Sequence, residues 1–287
     1  CINGVWIHRS YSLNIYRRRI ERDRSHHVDP LMNGFHSIFN PRMNKDIKTL
    51  IKFIHPEVIH TQNLVSMSYW IWKYAKKIDI PVVHTLRDYW LINPTTTLKE
   101  NPTIAERCFI AYHKTLSNKY VNVVTAPSDK VLQIFKTYGY FYNKPAKCIV
   151  NAINFDEKKL LDALGEKNKR IYQNVNFIYV GTLAETKGIK VLCKAFKEAK
   201  VNGTLSICGD GNLGTWIKAQ NIDNIKLLGK LNSNELAEEY QKADVLIVPS
   251  LWEEPFGRIV IEGAQYGLPT IGSNKGGIPE TITTLKY

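Results

Sequence analysis

The chain has 287 residues, 44% hydrophobic and 23% charged, and a formal net charge of +13. That length exceeds one ordinary core and fits two domains of about 100–150 residues each, and the apolar and charged fractions exclude intrinsic disorder. No apolar run approaches the roughly 18 residues that span a bilayer, and no signal peptide is expected.

The chain opens at Cys1 rather than Met, so a fragment or a processed product is expected. Its first fifth is strongly basic: residues 1–56 hold ten Lys/Arg against four acids. Arg17, Arg18, Arg19, Arg22 and Arg24 crowd one segment beside Tyr11, Leu13, Ile15 and Tyr16. That pattern reads equally as a solvated helix face or as a patch for an anionic membrane surface or an anionic acceptor. No aromatic–basic motif points to nucleic acid.

Beyond residue 56, short β-branched runs alternate with helical patterns, which predicts parallel sheets with crossover helices. Strands are predicted over 57–60, 81–86, 121–126 and 147–150, with helices near 66–78, 104–119 and 128–138. Tyr69, Trp70, Trp72 and Tyr74 read as core plus surface of one helix. His84 reads as a core histidine, whereas His60, before Thr61-Gln62-Asn63 at a strand's carboxyl end, reads as accessible to a ligand.

The charged, Lys-rich stretch 156–170 reads as a connector, so a linker at 153–172 is predicted between a domain of residues 1–152 and one of 173–287. The second domain repeats the rhythm, with strands at 177–181, 204–208, 225–228, 245–249 and 270–272 and helices near 187–199, 212–220, 233–242, 258–266 and 278–284. Two doubly wound, Rossmann-like domains imply a cleft, and ligands of such sheets sit beyond the carboxyl ends of the strands. Gly181-Thr182, Gly209-Asp-Gly211, Gly229 and Pro249 all follow strands there and are predicted to line one wall with Glu254. Of the five cysteines, Cys148, Cys193 and Cys208 sit in apolar stretches and no C-x-x-C pair occurs. They read as buried reduced thiols of a cytoplasmic protein without a zinc site.

Three local patterns carry chemistry. Gly209-Asp-Gly-Asn-Leu-Gly214 matches G-x-G-x-x-G after a strand, but the next strand ends Leu228-Gly229-Lys230 with no acid to hold a ribose. A dinucleotide fingerprint therefore fails, leaving either a turn that lets backbone approach a nucleotide or a plain tight turn. Lys187 falls near a helix start, where a cation adds to the dipole's pull on phosphate. In Glu254-Pro-Phe256-Gly257-Arg258-Ile-Val-Ile-Glu262, two carboxylates flank a loop-to-helix junction with free N–H groups at Gly257 and Arg258. Such a mouth offers a sugar to Glu254, phosphates to the N–H groups and a ribose to Glu262, which suits a nucleotide sugar.

Val180-Gly-x-Leu-x-x-x-Lys187-Gly, Gly209-Asp-Gly, Ala243-Asp-Val, Pro249-Ser-x-x-Glu-Glu254-Pro-Phe-Gly, Glu262 and Gly276-Gly-Ile-Pro-Glu280 run in register and resemble the retaining family-4 glycosyltransferases of the GT-B fold. In the first half, Pro56-Glu-Val-Ile-His60, Pro81–Trp90 and Ala126-Pro-Ser128 agree. The resemblance implies a sugar transferred from a nucleoside diphosphate to a saccharide or lipid-linked acceptor, with retained configuration and no required metal or other cofactor. It further implies that Glu254 touches the donor sugar, Glu262 the ribose, and Lys187 the diphosphate, with backbone help from Phe256, Gly257 and Arg258. Cell-surface polysaccharide assembly at the inner face of the membrane is the expected setting.

Where the family usually carries an arginine, Thr182 follows the glycine, and the frequent His-Asp of the first domain is Arg87-Asp88. Arg87 stays protonated and cannot act as a base, though it can steady a departing phosphate. The acceptor side is expected at His60, Asn63, Asp88, Thr95 and Thr96. The opening strand is not recognisable before residue 35 and the sequence stops at Tyr287 before the usual final helices, so both ends are expected to be truncated. A non-catalytic sugar-nucleotide-binding relic and a sugar-nucleotide epimerase of the same architecture are the alternative readings.

Overall fold

The structure, a computed structural model, describes residues 4–7, 40–64, 68–96, 98–152, 156–169 and 174–284. The arginine cluster at Arg17–Arg24 lies outside the described residues, as does part of the expected linker. The chain divides into two compact units, Cys1–Ala126 with Leu132–Cys148, and Pro127–Val131 with Ile149–Tyr287.

The first unit holds α1 (Pro41–Ile54), β1 (Ile59–Gln62), α2 (Trp70–Lys77), β2 (Val82–Thr85), α3 (Ile104–Tyr120), β3 (Val123–Ala126) and β4 (Ala146–Cys148), with most of α4 (Asp129–Thr137). Its four strands pair in parallel in chain order, β1-β2-β3-β4. The sequence reading proposed no element over residues 41–54, yet α1 carries its own start signals. Asn40 accepts from the Met43 N–H at 3.2 Å, Pro41 opens the first turn, and Met43, Ile47 and Ile51 form the buried stripe. Trp72 and Tyr69 of the aromatic run are fully buried, while Trp70 lies half-buried, stacked on Tyr74. Trp72 Nε1 donates to Thr61 Oγ1 at 3.1 Å, and that hydroxyl pairs with His84 Nδ1 at 2.9 Å. Burial and then the nearby His60 push the His84 pKa down to about 3, so it packs as the neutral core histidine the sequence predicts.

The second unit begins with α5 (Glu157–Asn168) and continues through β5 (Val175–Val180), α6 (Ile189–Ala199), β6 (Gly203–Cys208), α7 (Gly214–Ala219), β7 (Ile225–Gly229), α8 (Ser233–Lys242), β8 (Val245–Val248), α9 (Arg258–Ala264), β9 (Thr270–Gly272) and α10 (Ile278–Thr284). Its five parallel strands run β7-β6-β5-β8-β9, so the chain winds one way from β5 to β7 and returns to the other side at β8. Adjacent residues of β5 feed opposite cores, Ile178 on one face with Leu246, Val260 and Ile278, and Tyr179 on the other with Ile189, Leu205 and Ile207. That alternation is the two-residue period of a strand covered by helices on both sides.

Two further elements differ from the sequence reading. The supposed connector at 156–169 is the helix α5, capped where Asp156 accepts from the Lys159 N–H at 3.1 Å. It is anchored inward by Lys167, 7% exposed, whose ammonium donates to the Ala243 carbonyl. The helix expected from residue 187 starts two residues later, because Gly188 at φ +73° interrupts it and leaves Lys187 in the single 3-10 turn Glu185–Lys187. Cys193 and Cys208 are buried as expected, whereas Cys148 is only half-buried.

Gly188 gives a test of this local geometry. A Cβ there would collide with the Pro249 carbonyl, and the left-handed backbone disfavours any L side chain. Gly188→Ala is expected to lower unfolding stability by at least about 1–2 kcal/mol, read from the urea midpoint at unchanged m-value.

Candidate functional site

The ladder between β5 and β8 lasts two residue pairs, Phe177↔Val245 and Ile178↔Leu246. Past them Tyr179-Val180 and Ile247-Val248 part, and a cavity of about 360 Å³ opens at the carboxyl ends. This is the topological switch point of the sheet, where open α/β sheets bind ligands. Gly181, Thr182, Lys187, Pro249, Glu254, Gly257, Arg258 and Glu262 all line it, brought together from the ends of β5 and β8 and the start of α9.

Glu254 is fixed through its backbone. The Leu251 and Trp252 N–H groups donate to the Thr186 carbonyl at 2.9 and 3.0 Å, and the Gly277 N–H donates to the Glu254 carbonyl at 2.6 Å. Next to it, Glu253 accepts from the Gly276 N–H at 2.6 Å and lies 3.6 Å from the Lys275 ammonium. The loop is thus gripped from the 3-10 turn on one side and the start of α10 on the other, so its side chains are presented rather than left to wander.

The charges pair across the cavity. The Lys187 ammonium forms an ion pair with the Glu254 carboxylate, their side chains 28% and 16% exposed, and lies 4.8 Å from the Trp252 ring centroid. Buried Ser250 donates to the Trp252 carbonyl at 3.2 Å and reaches Glu254 Oε1 at 3.5 Å. One turn apart on α9, Arg258 and Glu262 approach to 3.6 Å. Burial nevertheless raises the Glu262 pKa above the usual carboxylate range, outweighing the lowering by Arg258. Tyr179 is raised by burial first and by Glu254 second, so it stays a neutral donor, and its hydroxyl bonds the Thr182 carbonyl at 2.9 Å.

Gly209, Gly211, Gly229 and Phe256 do not line the cavity. The Gly209 N–H donates to the Gly229 carbonyl at 2.7 Å, and a Cβ on Gly209 would collide with the Gly181 carbonyl. With Gly181 N–H bonded to Cys208 at 3.0 Å and Leu183 N–H to Asp210 at 2.9 Å, the glycine turn packs against the Gly181 loop. Phe256 is buried, its carbonyl accepting from Thr281 Oγ1. Tyr179 is the neighbour that sequence reasoning missed. Ser250 and Trp252 belong to the Pro249-Ser-Leu-Trp252 segment expected beside Glu254 after a strand end.

In the first unit, Asn63 Nδ2 donates to Asp88 Oδ2 at 2.7 Å, and Asp88 Oδ1 accepts from the Trp90 N–H at 2.9 Å. Burial raises the Asp88 pKa, with the Trp90 bond opposing it. His60 Nε2 pairs with Thr85 Oγ1 at 2.6 Å, and exposed Arg87 follows β2. Thr95 belongs to a separate turn, where its N–H and hydroxyl donate to Asn93 Oδ1 at 2.8 and 2.7 Å, and Thr96 adopts φ +59°. Asn63 and Asp88 thus meet beyond the carboxyl ends of β1 and β2, whereas His60 sits within β1 beside Thr85. A larger cavity of about 640 Å³ opens between α5 and α8, lined by mixed charges including Asp162, Glu166 and Lys242. It lies away from the strand ends that carry the converging groups.

Comparison with known proteins agrees with this geometry. The family model for Glycosyltransferase Family 4 matches residues 6–157, and that for Glycosyl transferases group 1 matches residues 164–286. An uncharacterized 42.6 kDa protein in cps region of Klebsiella pneumoniae is 29% identical, the match covering 85% of this chain and 64% of that protein. Sucrose-phosphate synthase from Thermosynechococcus elongatus shares the fold at TM-score 0.64 and 21% identity, covering 83% of this chain and 61% of that one. Anabaena HepE in complex with UDP and glucose does so at TM-score 0.61 and 19% identity, covering 84% and 64%. In each case the chain spans less than two thirds of the relative's own length. The two parallel α/β sheets have the GT-B fold of these structures.

The half-buried charge on Glu262 can be measured without any ligand. A carboxyl whose pKa rises on folding contributes its stability while protonated and loses it as pH climbs through the raised value. Glu262→Gln is therefore expected to be more stable than the parent at pH 7, and the difference should vanish on acidification below the unfolded carboxyl pKa of about 4.3. Thermal melts across pH 3.5–8 check the sign; a parent that outlasts the variant at neutral pH overturns it.

Proposed function

Because the chain belongs to glycosyltransferase family 4, we propose that it moves a sugar from a nucleoside-diphosphate sugar to a saccharide or lipid-linked acceptor with retention of configuration. The observation that carries this reading is the convergence of Lys187, Glu254, Arg258 and Glu262 on one cavity at the switch point of the second sheet.

Each group has a task in that reaction. A diphosphate against the first turn of α9 draws the Lys187 ammonium away from Glu254, since two phosphates outbid one carboxylate for a cation. Glu254, released, accepts hydrogen bonds from donor-sugar hydroxyls, and Glu262 accepts from the ribose. The bond from the anomeric carbon to the phosphate oxygen breaks, the acceptor oxygen bonds to that carbon on the same face, and the acceptor's proton passes to the departing phosphate. Lys187, Arg258 and the α9 N–H groups stabilise the charge that develops on the leaving group. These groups compensate that charge without a divalent cation, so the reading expects turnover to persist in excess chelator. Tyr179 steadies the loop in which Thr182 replaces a cation, which puts more weight on Lys187. Acceptor recognition falls to the first unit, at His60, Asn63, Asp88, Thr95 and Thr96.

Uridine nucleotides are the first donors to test, because HepE of the same fold holds UDP and glucose. Similarity to a protein in cps region supports cell-surface polysaccharide assembly as the setting. Among the described residues no helix is long and apolar enough to cross a membrane.

A thermal-shift screen of nucleotide sugars is expected to find a donor that stabilises the protein by about 2.7 kcal/mol at 100 times its Kd. With that donor, Glu254→Gln should lower transfer about 10–100-fold, the loss of one charge-assisted hydrogen bond of about 1.5–3 kcal/mol. Unimpaired transfer by that variant overturns the sugar contact. A donor that binds but is never transferred points instead to a binding relic.

A further inference from the structure

Among the described residues, the outward face of α1 is left exposed. The helix buries Met43, Ile47 and Ile51, and its exposed side carries Arg42, Lys45, Lys48 and Lys52, spaced three or four residues apart so that they share one face. Phe53 lies on that same face and is 83% exposed, followed by Ile54 at 56% and Val58 at 50%. Single exposed hydrophobes are ordinary. Three within six residues, at the end of a tetracationic face, are not. Acidic opposition is thin: Asp46 is half-buried and Glu57 is the one exposed acid between residues 41 and 58.

A row of cations ending in an exposed aromatic and two branched aliphatics has the chemistry of a surface that lies on an anionic bilayer. The charges meet the headgroups while the apolar end enters the boundary with the acyl chains. A protein partner matched to this face would need a groove for Phe53 rimmed by acids. An anionic bilayer supplies both parts without a fitted shape, and the charge complementarity favours it. We infer that α1 docks the protein on anionic membrane through Lys45, Lys48, Lys52 and Phe53. The inference deepens the reading of a lipid-linked acceptor, because it would bring the first unit to the surface that holds such acceptors.

Co-sedimentation of this chain with vesicles tests it. Vesicles containing 30% phosphatidylserine should bind the protein, and pure phosphatidylcholine vesicles should bind it at least tenfold less. Lys45→Glu with Lys48→Glu should lower binding to the anionic vesicles tenfold or more, from about fivefold per cation at such a surface. Phe53→Ser should lower it severalfold even at low salt, where electrostatics are strongest. None of these residues lines the donor cavity, so ligand-induced thermal shifts should be unchanged; vesicle binding can therefore fail while donor binding holds, and the reverse. Equal binding to neutral and anionic vesicles overturns the inference, as does unchanged binding by the charge-reversed variant. A concentration-dependent dimer in sedimentation velocity that Phe53→Ser abolishes, without vesicle binding, overturns it in favour of a second copy.

Discussion

The organisation of the second unit depends on how briefly β5 and β8 stay together. After two paired residues the strands separate, because β5 continues along β6 for its full length while β8 turns to β9. In a parallel sheet wound in both directions, the crossovers leave on opposite faces at that point, so they leave the gap above it open. Four strand residues, Tyr179, Val180, Ile247 and Val248, line the cavity on the side where β5 and β8 no longer pair, while keeping their ladders to β6 and β9. The loops that follow β5 and β8 then have a fixed place to deliver Thr182, Lys187 and Glu254.

What is delivered there is electrostatically expensive for the fold. A partly buried ion pair gives back in mutual attraction about what its two members lose in hydration, so Lys187 and Glu254 contribute little net stability. Glu262 is a clearer case, since its burial raises its pKa and its charge opposes folding at neutral pH. Charged groups kept where they do not stabilise the fold mark a functional cavity more strongly than charged groups at a surface. The rigidity of the 250–257 loop points the same way. Hydrogen bonds to the Thr186 carbonyl and from the Gly276 and Gly277 N–H groups hold a segment whose residues 251–254 stay out of the core.

The readable parts of this site were local in sequence. Glu254 and Glu262 are eight positions apart on one loop-to-helix junction, and the periodicities that set β5, β6 and β8 are short-range signals. Contacts across the fold were illegible. The pairing of Lys187 with Glu254 joins residues 67 apart, and the Tyr179 hydroxyl depends on a loop conformation that no periodicity encodes. The connector reading of 156–169 failed because charge density hid the sparse inward stripe of Ala163 and Lys167, the latter an amphipathic side chain buried by its stem. α1 escaped notice although its cap and proline stood in plain view, because the basic composition of the first fifth drew the reading toward its surface.

The glycine pattern at Gly209–Gly214 shows how a motif can be right about geometry and misleading about purpose. The fingerprint requires glycine because backbone must come close to something. Here the close neighbour is the Gly181 carbonyl, reached across two adjacent parallel strands. Replacing Gly209 would push on the turn that carries Thr182 and, through Leu183 N–H to Asp210, on the approach to Lys187. The turn after β6 thus acts on the cavity at one remove, by holding the β5 loop down against the sheet. A glycine run after a second strand thus supports the pocket built by the first, and the carboxylate that lines that pocket, Glu262, stands on α9, where the strand order reverses.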